Sequence, residues 1–322
     1  MIDRRTFLRV STTSTIGIAA SAWAQEAPPS RTIRFIVPFG PGGPTDVLAR
    51  IVADAMRSKW PAGTIVENRA GAGSMIGTNV VAKSEPDGTT IGVVTSSYMI
   101  NPAVRDKMPF DTATDLRGLT QIASSYLVLA AHPSFPASDI PGLLKTARAA
   151  SEPLAYATPG IATAPHMAAE LLQRAGQIKL QHVPYNGATE ALNDVLTGRI
   201  PLMFDLWHSV RAYVDDKALK ILGVINGQRI PSASQYPCIG ETLPGYEVSS
   251  ILGLVIPKQT SPALVERMAA DVTAFVKSDE FKKKAEQFGM QPIGSSPKEF
   301  DQFIAADIVR WKQIASNAGI RL

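Results

Sequence analysis

Short apolar runs alternate with amphipathic helical segments along this chain, and this alternation restricts the possible folds more than any other feature of the sequence. Residues 32–39 form a β-rich apolar run, and residues 47–59 place Leu48, Ile51 and Val52 at helical spacing. Two more strands are predicted at 64–67 and 89–95, with a helix at 75–83 between them. Repetition of strand, helix and strand predicts right-handed crossovers and a mostly parallel sheet, so the first unit is α/β.

The same alternation begins again in the middle of the chain. Strands are predicted at 127–131, 154–157, 181–184, 200–205, 219–225 and 253–257, and helices at 140–150, 165–175 and 188–197. The C-terminal third is mainly helical, with helices predicted at 262–277, 278–288 and 297–318. Two α/β units predict two lobes with a cleft between them, and ligands of such sheets bind where strands lead into helices.

Composition narrows the class of protein. The chain has 322 residues, enough for two domains, and its 45% hydrophobic and 19% charged residues are typical of a soluble globular protein. The formal net charge is +4, of which +2 lies in residues 1–24, and the remaining +2 leaves no basic footprint for nucleic acid. The single cysteine, Cys238, excludes an internal disulfide and a cysteine-rich metal site, and we expect it to be inert.

Residues 1–24 have the pattern of an export signal. Arg4, Arg5 and Arg9 precede a weakly apolar run at 10–22, and the sequence Ala-Trp-Ala at 22–24 suits signal cleavage. The run is too short and too polar for a membrane anchor, and no later apolar run is long enough to span a bilayer. The pair Arg4-Arg5 also fits a twin-arginine signal, and the choice between this route and Sec export stays open. We expect a mature periplasmic protein that is not embedded in the membrane.

The loop at 37–46 is the strongest candidate site. A strand runs through glycines and prolines directly into a helix, whose first N–H groups and dipole favour an anion. The candidates here are Gly42, Gly43, Thr45 and Asp46. The spacing matches neither a P-loop nor the dinucleotide fingerprint. The alternative is a tight turn in which Thr45 or Asp46 simply caps the helix.

A second loop of this type lies at 155–165, in the second unit, and a third at 185–188. The second loop offers Gly160, Ile161, Ala162, Thr163 and Ala164. Two such loops, one in each predicted lobe, are suited to hold one anion from both sides of the cleft.

Smaller candidates follow the ends of other strands. The hydroxyl groups of Ser96 and Ser97 could donate hydrogen bonds to an oxyanion. Asp205 should face the cleft unless it is a surface or capping carboxylate. Tyr98, Met99 and Trp207 could form an apolar wall for a flat ligand; the alternative is that they are ordinary core residues.

Catalytic and metal-binding signatures are missing from the sequence. It contains no Gly-x-Ser-x-Gly or His-Glu-x-x-His motif, and its histidines lack metal-ligand spacing. We therefore expect no catalytic residues, no metal and no cofactor. His166 opens the helix after the second loop, which makes it a candidate ligand contact and, with Ser96 or Ser97, the one pair that could support a hydrolase.

A family resemblance rests on many segments in order. They are residues 36–46, 66–73, 86–88, 100–102, 163–166, 182–187, 202–205 and 318–320. In these segments the chain resembles, over nearly its whole length after the leader, the Bug-type periplasmic solute receptors of tripartite tricarboxylate transporters. The resemblance is specific for the family and says little about the ligand.

The resemblance implies a two-lobed type II periplasmic-binding-protein fold that closes on an organic carboxylate. Lobe one would comprise 25–124 and 252–322, lobe two 125–251, with hinges near 124–127 and 251–254. Backbone amides and hydroxyls at 42–46 and 160–164 would hold the carboxylate, with Ser96, Ser97 and Asp205 nearby. Pro44 stands where the family often has glycine, and its missing N–H removes one donor.

The expected function is therefore capture of a small organic carboxylate, a di- or tricarboxylate or an aromatic acid, for a tripartite tricarboxylate-type transporter. Its partners would be this ligand and inner-membrane transporter subunits, and the receptor would be a monomer. Two alternatives stay open: a ligand-dependent sensor of a two-component system, and a periplasmic hydrolase.

Overall fold

The computed structural model of the protein describes residues 27–225, 229, 234–246, 248, 250–287 and 289–321. The predicted leader at 1–24, with its twin-arginine and cleavage motifs, lies outside the described residues. The strands are β1 (Ile33–Val37), β2 (Thr64–Asn68), β3 (Thr90–Thr95), β4 (Leu116–Ser125), β5 (Leu127–Ala131), β6 (Leu154–Thr158), β7 (Leu180–Pro184), β8 (Leu202–Leu206), β9 (Lys220–Val224), β10 (Ser250–Pro257) and β11 (Met290–Pro292). The helices are α1 (Pro44–Arg57), α2 (Met75–Ala82), α3 (Ser97–Val104), α4 (Ile140–Ala149), α5 (Ala164–Gly176), α6 (Ala188–Leu196), α7 (Trp207–Asp215), α8 (Pro262–Val276), α9 (Asp279–Gln287) and α10 (Pro297–Ala318).

Helix α1 illustrates why these residues form these elements. Proline at its start has a backbone angle already suited to a helix, at a position whose N–H would have no acceptor anyway. Leu48, Val52 and Met56 follow at a spacing of four residues and form one buried face. At the other end of the chain, the side chain of Ser296 and that of Glu299 cap each other's backbone N–H groups at the start of α10.

The strands form two sheets. The first has six strands in the order β11-β4-β10-β3-β1-β2, and the second has five in the order β7-β6-β8-β5-β9. In the first sheet β1 is parallel to β2 and β3, and β10 is antiparallel to both β3 and β4. In the second sheet β6 is parallel to β7 and β8, whereas β5 is antiparallel to β8 and β9. The two α/β units of the sequence are thus two separate sheets.

The expected mostly parallel pairing is wrong. Five of the nine strand pairs among the described residues are antiparallel. The cause lies in β5 and β10, each of which is inserted between two strands of its sheet. Only Tyr126 separates β4 of one sheet from β5 of the other, so no crossover helix fixes the direction of β5.

Four elements are absent from the sequence prediction: α3, β4, α7 and β11. Helix α3 contains Pro102, which usually interrupts a helix, and six of its eight residues are buried, so it has no polar face that would give an amphipathic pattern. Helix α7 begins at Trp207, directly after β8, which leaves no turn residues to mark its start.

The core consists of three groups of buried apolar side chains. One packs helices α1 and α8 on the six-stranded sheet, with Phe35 and Met268 among its members. Another packs α6 and α7 on the five-stranded sheet. The third includes Val94, Phe204 and Phe300 and so draws on both sheets. This shared core joins the two sheets side by side and leaves their strand-to-helix loops facing one another.

Candidate functional site

A cavity of about 350 Å³ lies between the strand-to-helix loops of the two sheets. On the six-stranded side its lining residues are Phe39, Gly40, Pro41, Gly43, Pro44, Thr45, Thr95 and Ser250. On the five-stranded side they are Pro159, Thr163, Ala164, Pro165, Asn186, Gly187, Ala188, Thr189, Glu190, Asp205 and Leu206. Both predicted loops and the third loop at 185–188 therefore contribute to one cavity.

Helices α1, α5 and α6 all start at this cavity. The first N–H groups of a helix have no acceptor within the helix, and the helix dipole adds partial positive charge there. The N-cap residues of α1 and α6, Gly43 and Gly187, have no side chain that could satisfy these groups. The positive ends of three helices therefore converge on one enclosed space, which is suited to an anion.

Asp46 holds the first loop in shape. It is 2% exposed, and its carboxylate accepts hydrogen bonds from Gly42 N (3.0 Å), Arg50 Nε (3.0 Å) and Asn68 Nδ2 (2.8 Å). Burial opposes ionisation of Asp46, but these hydrogen bonds outweigh it and lower the pKa of the carboxyl. Asp46 and Gly42 do not line the cavity. Their position indicates that they orient the amides that do.

Thr163 and His166 hold the second loop in a similar way. The Thr163 hydroxyl donates to Gly160 O (2.7 Å) and accepts from His166 N (3.4 Å), which caps α5. His166 Nδ1 accepts from Ala162 N (3.2 Å), where Ala162 has a left-handed backbone with φ of 55°. His166 is 5% exposed and lies behind the loop, outside the cavity lining.

The imidazole of His166 stacks on that of His182, with ring centroids 4.1 Å apart. His182 Nε2 lies 2.7 Å from the Thr158 hydroxyl. Burial lowers the pKa of His166 and, with the neighbouring His166 ring, lowers that of His182 to about 3. Both rings are therefore neutral at neutral pH and form an uncharged support for the loop.

Asp205, at the end of β8, lines the cavity and is 1% exposed. Its Oδ1 accepts from Leu206 N (2.7 Å), while its Oδ2 has no hydrogen-bond partner in the part of the chain that the structure describes. Burial raises the pKa of this carboxyl to about 7, although the Leu206 N–H and the nearby Ser209 hydroxyl act in the opposite direction. A carboxyl in this environment can accept a hydrogen bond from a donor group in the cavity.

A second cavity, of about 200 Å³, adjoins the first and shares Phe39, Pro159, Thr163 and Asn186 with it. Residues 71–74, 160–161 and Arg105 also line it. Arg105 Nε donates to Asn101 Oδ1 (2.9 Å), so this guanidinium is held at the second cavity rather than the first.

The predicted site residues fall into three groups. Gly43, Thr45, Thr163, Ala164 and Asp205 line the first cavity. Gly160 and Ile161 line the second cavity, together with Thr163. The others line neither: Gly42, Asp46, Ser96, Ser97, Ala162 and His166.

Ser96 and Ser97 lie at the start of α3 and are buried. Ser96 Oγ accepts from Ile251 N (3.1 Å), which ties α3 to β10. Within the described residues no hydrogen bond joins His166 to either serine, so the pair considered for a hydrolase is not assembled.

The apolar wall predicted from Tyr98, Met99 and Trp207 is not part of the cavity. All three side chains are at most 3% exposed and belong to the core. The Tyr98 hydroxyl donates to Thr112 O (3.0 Å), and its ring stacks on Phe110. The apolar wall of the cavity comes instead from Phe39 and from the prolines of the loops.

Several residues of the two cavities are missing from the sequence prediction, namely Ser250, Leu206, Thr189, Glu190 and Arg105. Glu190 and Thr189 follow the third loop, and that loop was a sufficient signal to find them. Ser250 and Arg105 carry no local signal, because packing of distant segments brings them to the cleft.

In the described part of the chain, no three His, Cys, Asp or Glu residues lie close enough together to hold a metal ion. Within the same residues, no helix has the length and apolar character needed to cross a bilayer.

Comparison with known proteins agrees with this geometry. Rpa4515 of R. palustris, solved with adipate, superposes with a TM-score of 0.87 at 29% identity, over 91% of this chain and 99% of the other. A protein from the tcbD-tcbE intergenic region of a Pseudomonas species is 33% identical over 90% of this chain and 87% of its own length. Protein BugT of Bordetella pertussis is 28% identical over 96% of this chain and 95% of its own length.

The family model described as the tripartite tricarboxylate transporter family receptor matches residues 48–320. This range begins within the first turns of α1 and includes the second and third loops and Asp205. The match extends over most of the chain, and both the relatives and the fold agree with it. The chain is therefore a member of the tripartite tricarboxylate transporter receptor family, to which the Bug proteins belong.

Proposed function

We propose that this protein is a periplasmic solute-binding receptor that captures a small organic carboxylate and delivers it to a tripartite tricarboxylate-type transporter. The observation that carries the proposal is the cavity at which α1, α5 and α6 all start. Three helix N-termini attract a carboxylate without a basic side chain. Binding through neutral amides rather than a charged clamp suits a receptor that must release its ligand to a partner.

The family supports the class of ligand. The R. palustris relative was solved with adipate, a dicarboxylate. We therefore place the carboxylate group of the ligand at the amides of Thr45, Ala164 and Ala188, the first helical residues at the cavity that have an N–H. The candidates are di- and tricarboxylates and aromatic acids.

The same proposal includes a division of the chain into two lobes and a location in the periplasm. Lobe one would be 25–124 with 252–322, and lobe two 125–251, which is consistent with strands of the six-stranded sheet between 33 and 125 and between 250 and 292. The lobes would close on the ligand by bending near Tyr126 and at the start of β10. The pattern of residues 1–24 supports export to the periplasm, where a closed monomer would dock on inner-membrane transporter subunits.

A ligand panel tests the proposal. We expect isothermal titration calorimetry of residues 25–322 to detect binding of at least one acid among aliphatic and aromatic mono-, di- and tricarboxylates. Mass spectrometry of the unfolded protein first shows whether a ligand has copurified. Absence of binding across the panel by protein free of bound ligand would contradict the proposal.

Substitution of Ala188 tests whether the ligand binds at the helix N-termini. Ala188→Asp places a negative charge at the first position of α6, where acidic residues favour the helix but repel a bound anion. We expect affinity to fall by at least about tenfold, because two like charges a few ångströms apart repel strongly. Ala188→Asn has almost the same shape without the charge and serves as the matched control. Equal losses in the two variants would show that the helix ends do not bind the anion.

A further inference from the structure

The ionisable side chains that line the first cavity, among the described residues, are all acidic. They are Glu190 and Asp205. Glu190 is exposed in the first turn of α6, whereas Asp205 is buried. Arg105 borders the adjoining cavity instead and is hydrogen-bonded to Asn101.

The two carboxyl oxygens of Asp205 also differ in their hydrogen bonds. Its Oδ1 accepts from the Leu206 N–H, but its Oδ2 is buried without a hydrogen-bond partner among the described residues. The Ser209 hydroxyl is near enough to affect its titration and lies outside hydrogen-bonding geometry. A ligand that supplies a donor at this oxygen would form a charge-assisted hydrogen bond, which is stronger than one between neutral groups.

The cavity thus combines two opposite features. Its three helix N-termini favour a carboxylate, and its buried carboxyl favours a hydrogen-bond donor or a positive charge. A ligand with a second carboxylate would place that group in a cavity whose described lining contains acidic side chains and no basic one. The complex would then have to hold a proton between the second carboxylate of the ligand and the carboxyl of Asp205. The need to take up this proton lowers the affinity for the ligand.

We propose, on the basis of the function proposed above, that the cavity selects a monocarboxylate whose other end carries a hydrogen-bond donor, preferentially an ammonium group, and that Asp205 is the residue that accepts it. The helix ends bind the carboxylate and give affinity. Asp205 determines specificity. The receptor would therefore prefer a zwitterion to a dicarboxylate of the same length.

Matched ligands of one length test this preference. Hexanoate, adipate and 6-aminohexanoate share six carbons and end in a methyl, a carboxylate or an ammonium group. Butyrate, succinate and 4-aminobutyrate form a shorter set. In calorimetry on residues 25–322 at low ionic strength, we expect the amino acid of the better-fitting set to bind about ten- to a hundredfold more tightly than the other two, as for a charge-assisted hydrogen bond.

Asp205→Asn is the decisive variant, because it keeps the size of the side chain and removes its charge. We expect it to remove the difference in affinity between the amino acid and the methyl-ended acid, because the methyl-ended acid offers this side chain no hydrogen-bond donor. Circular dichroism and thermal unfolding establish that the variant is folded. A preference that survives Asp205→Asn would overturn the assignment of this residue.

The other outcomes separate this inference from the proposed function. Tightest binding of the dicarboxylate, weakened by Arg105→Gln, would overturn the inference and place the second carboxylate at the adjoining cavity, while the proposed function stands. Binding of none of the six acids, together with no binding in the wider carboxylate panel, would contradict both.

Discussion

Asp205 is the residue whose environment departs furthest from what a carboxyl group prefers in water. Burial raises its pKa from 3.8 to about 7. Between these two values the folded state binds more protons than the unfolded state, so the free energy of unfolding falls as pH rises from about 4 to 7. The loss is of the order of 4 kcal/mol when complete, and it is absent below the pKa of the unfolded chain.

Asp205→Asn should therefore stabilise the ligand-free protein increasingly as pH rises. We expect the melting temperature of the variant minus that of the native protein to increase from pH 4.5 to pH 8, as measured by differential scanning calorimetry. Asp46→Asn is the control, and its stability relative to the native protein should change with pH in the opposite direction. The reason is that hydrogen bonds outweigh burial and lower the pKa of Asp46. That variant should be less stable than the native protein at neutral pH, with a difference that shrinks on acidification. A difference for Asp205→Asn that is constant with pH would contradict the raised pKa.

At the scale of elements, β10 joins the two halves of the six-stranded sheet and supports α10. Gly253 in β10 lies against the ring of Phe300 in α10, and a Cβ built at Gly253 would overlap Phe300 Cζ. The ring of Phe300 is fully buried, so it has no room to withdraw. The absence of a side chain at Gly253 is what allows the helix to pack on the strand.

Gly253→Ala should therefore destabilise the protein by about 1–3 kcal/mol, the usual cost of overpacking a core. Urea unfolding followed by circular dichroism measures the change. Gly40→Ala is the matched control, because its Cβ would meet only Asn186 O at 3.9 Å, an ordinary contact. Equal stability of the two variants would show that α10 can shift away from β10 at little cost.

At the scale of the whole molecule, the loops of the two sheets touch across the cleft. A Cβ built at Gly73, in the loop before α2, would lie 2.7 Å from Ile161 O, in the loop before α5. Asn101 Nδ2 donates to Gly73 O (2.8 Å) and holds this loop in place. The contact between Gly73 and Ile161 therefore sets how closely the two sides of the cleft can approach.

Gly73→Ala should weaken ligand binding by about 5- to 100-fold, since the closed cleft would bear a steric cost of about 1–3 kcal/mol. Calorimetric affinity and small-angle scattering with and without ligand are the measurements. Gly245→Ala is the matched control: both glycines have a left-handed backbone, with φ of 63° and 80°, but no atom lies within 4 Å of a Cβ at Gly245. Unchanged affinity in Gly73→Ala would contradict a role for this contact in closure.

Sequence patterns were sufficient for most elements and for the loops of the site. The predicted strand at 127–131 is β5 (Leu127–Ala131), because a short apolar run between turns has few other solutions. Gly43, Thr45, Thr163 and Ala164 line the cavity as expected, since a glycine-containing loop that leads from strand to helix marks a helix N-terminus locally. Helix α3 and strand β4 escaped prediction, because their residues lack clear periodicity.

The amino-acid sequence by itself determined the two α/β units, the family and the loops that carry the helix ends, since all of these depend on residues close together in the chain. Only the tertiary structure decided which residues face the cavity. It placed Tyr98, Met99 and Trp207 in the core, put His166 behind its loop, and brought Ser250 to the lining. It also buried the carboxyl of Asp205 at a cavity whose described lining contains no basic side chain. Burial and electrostatic environment depend on the packing of segments far apart in sequence, and no local pattern of residues encodes them.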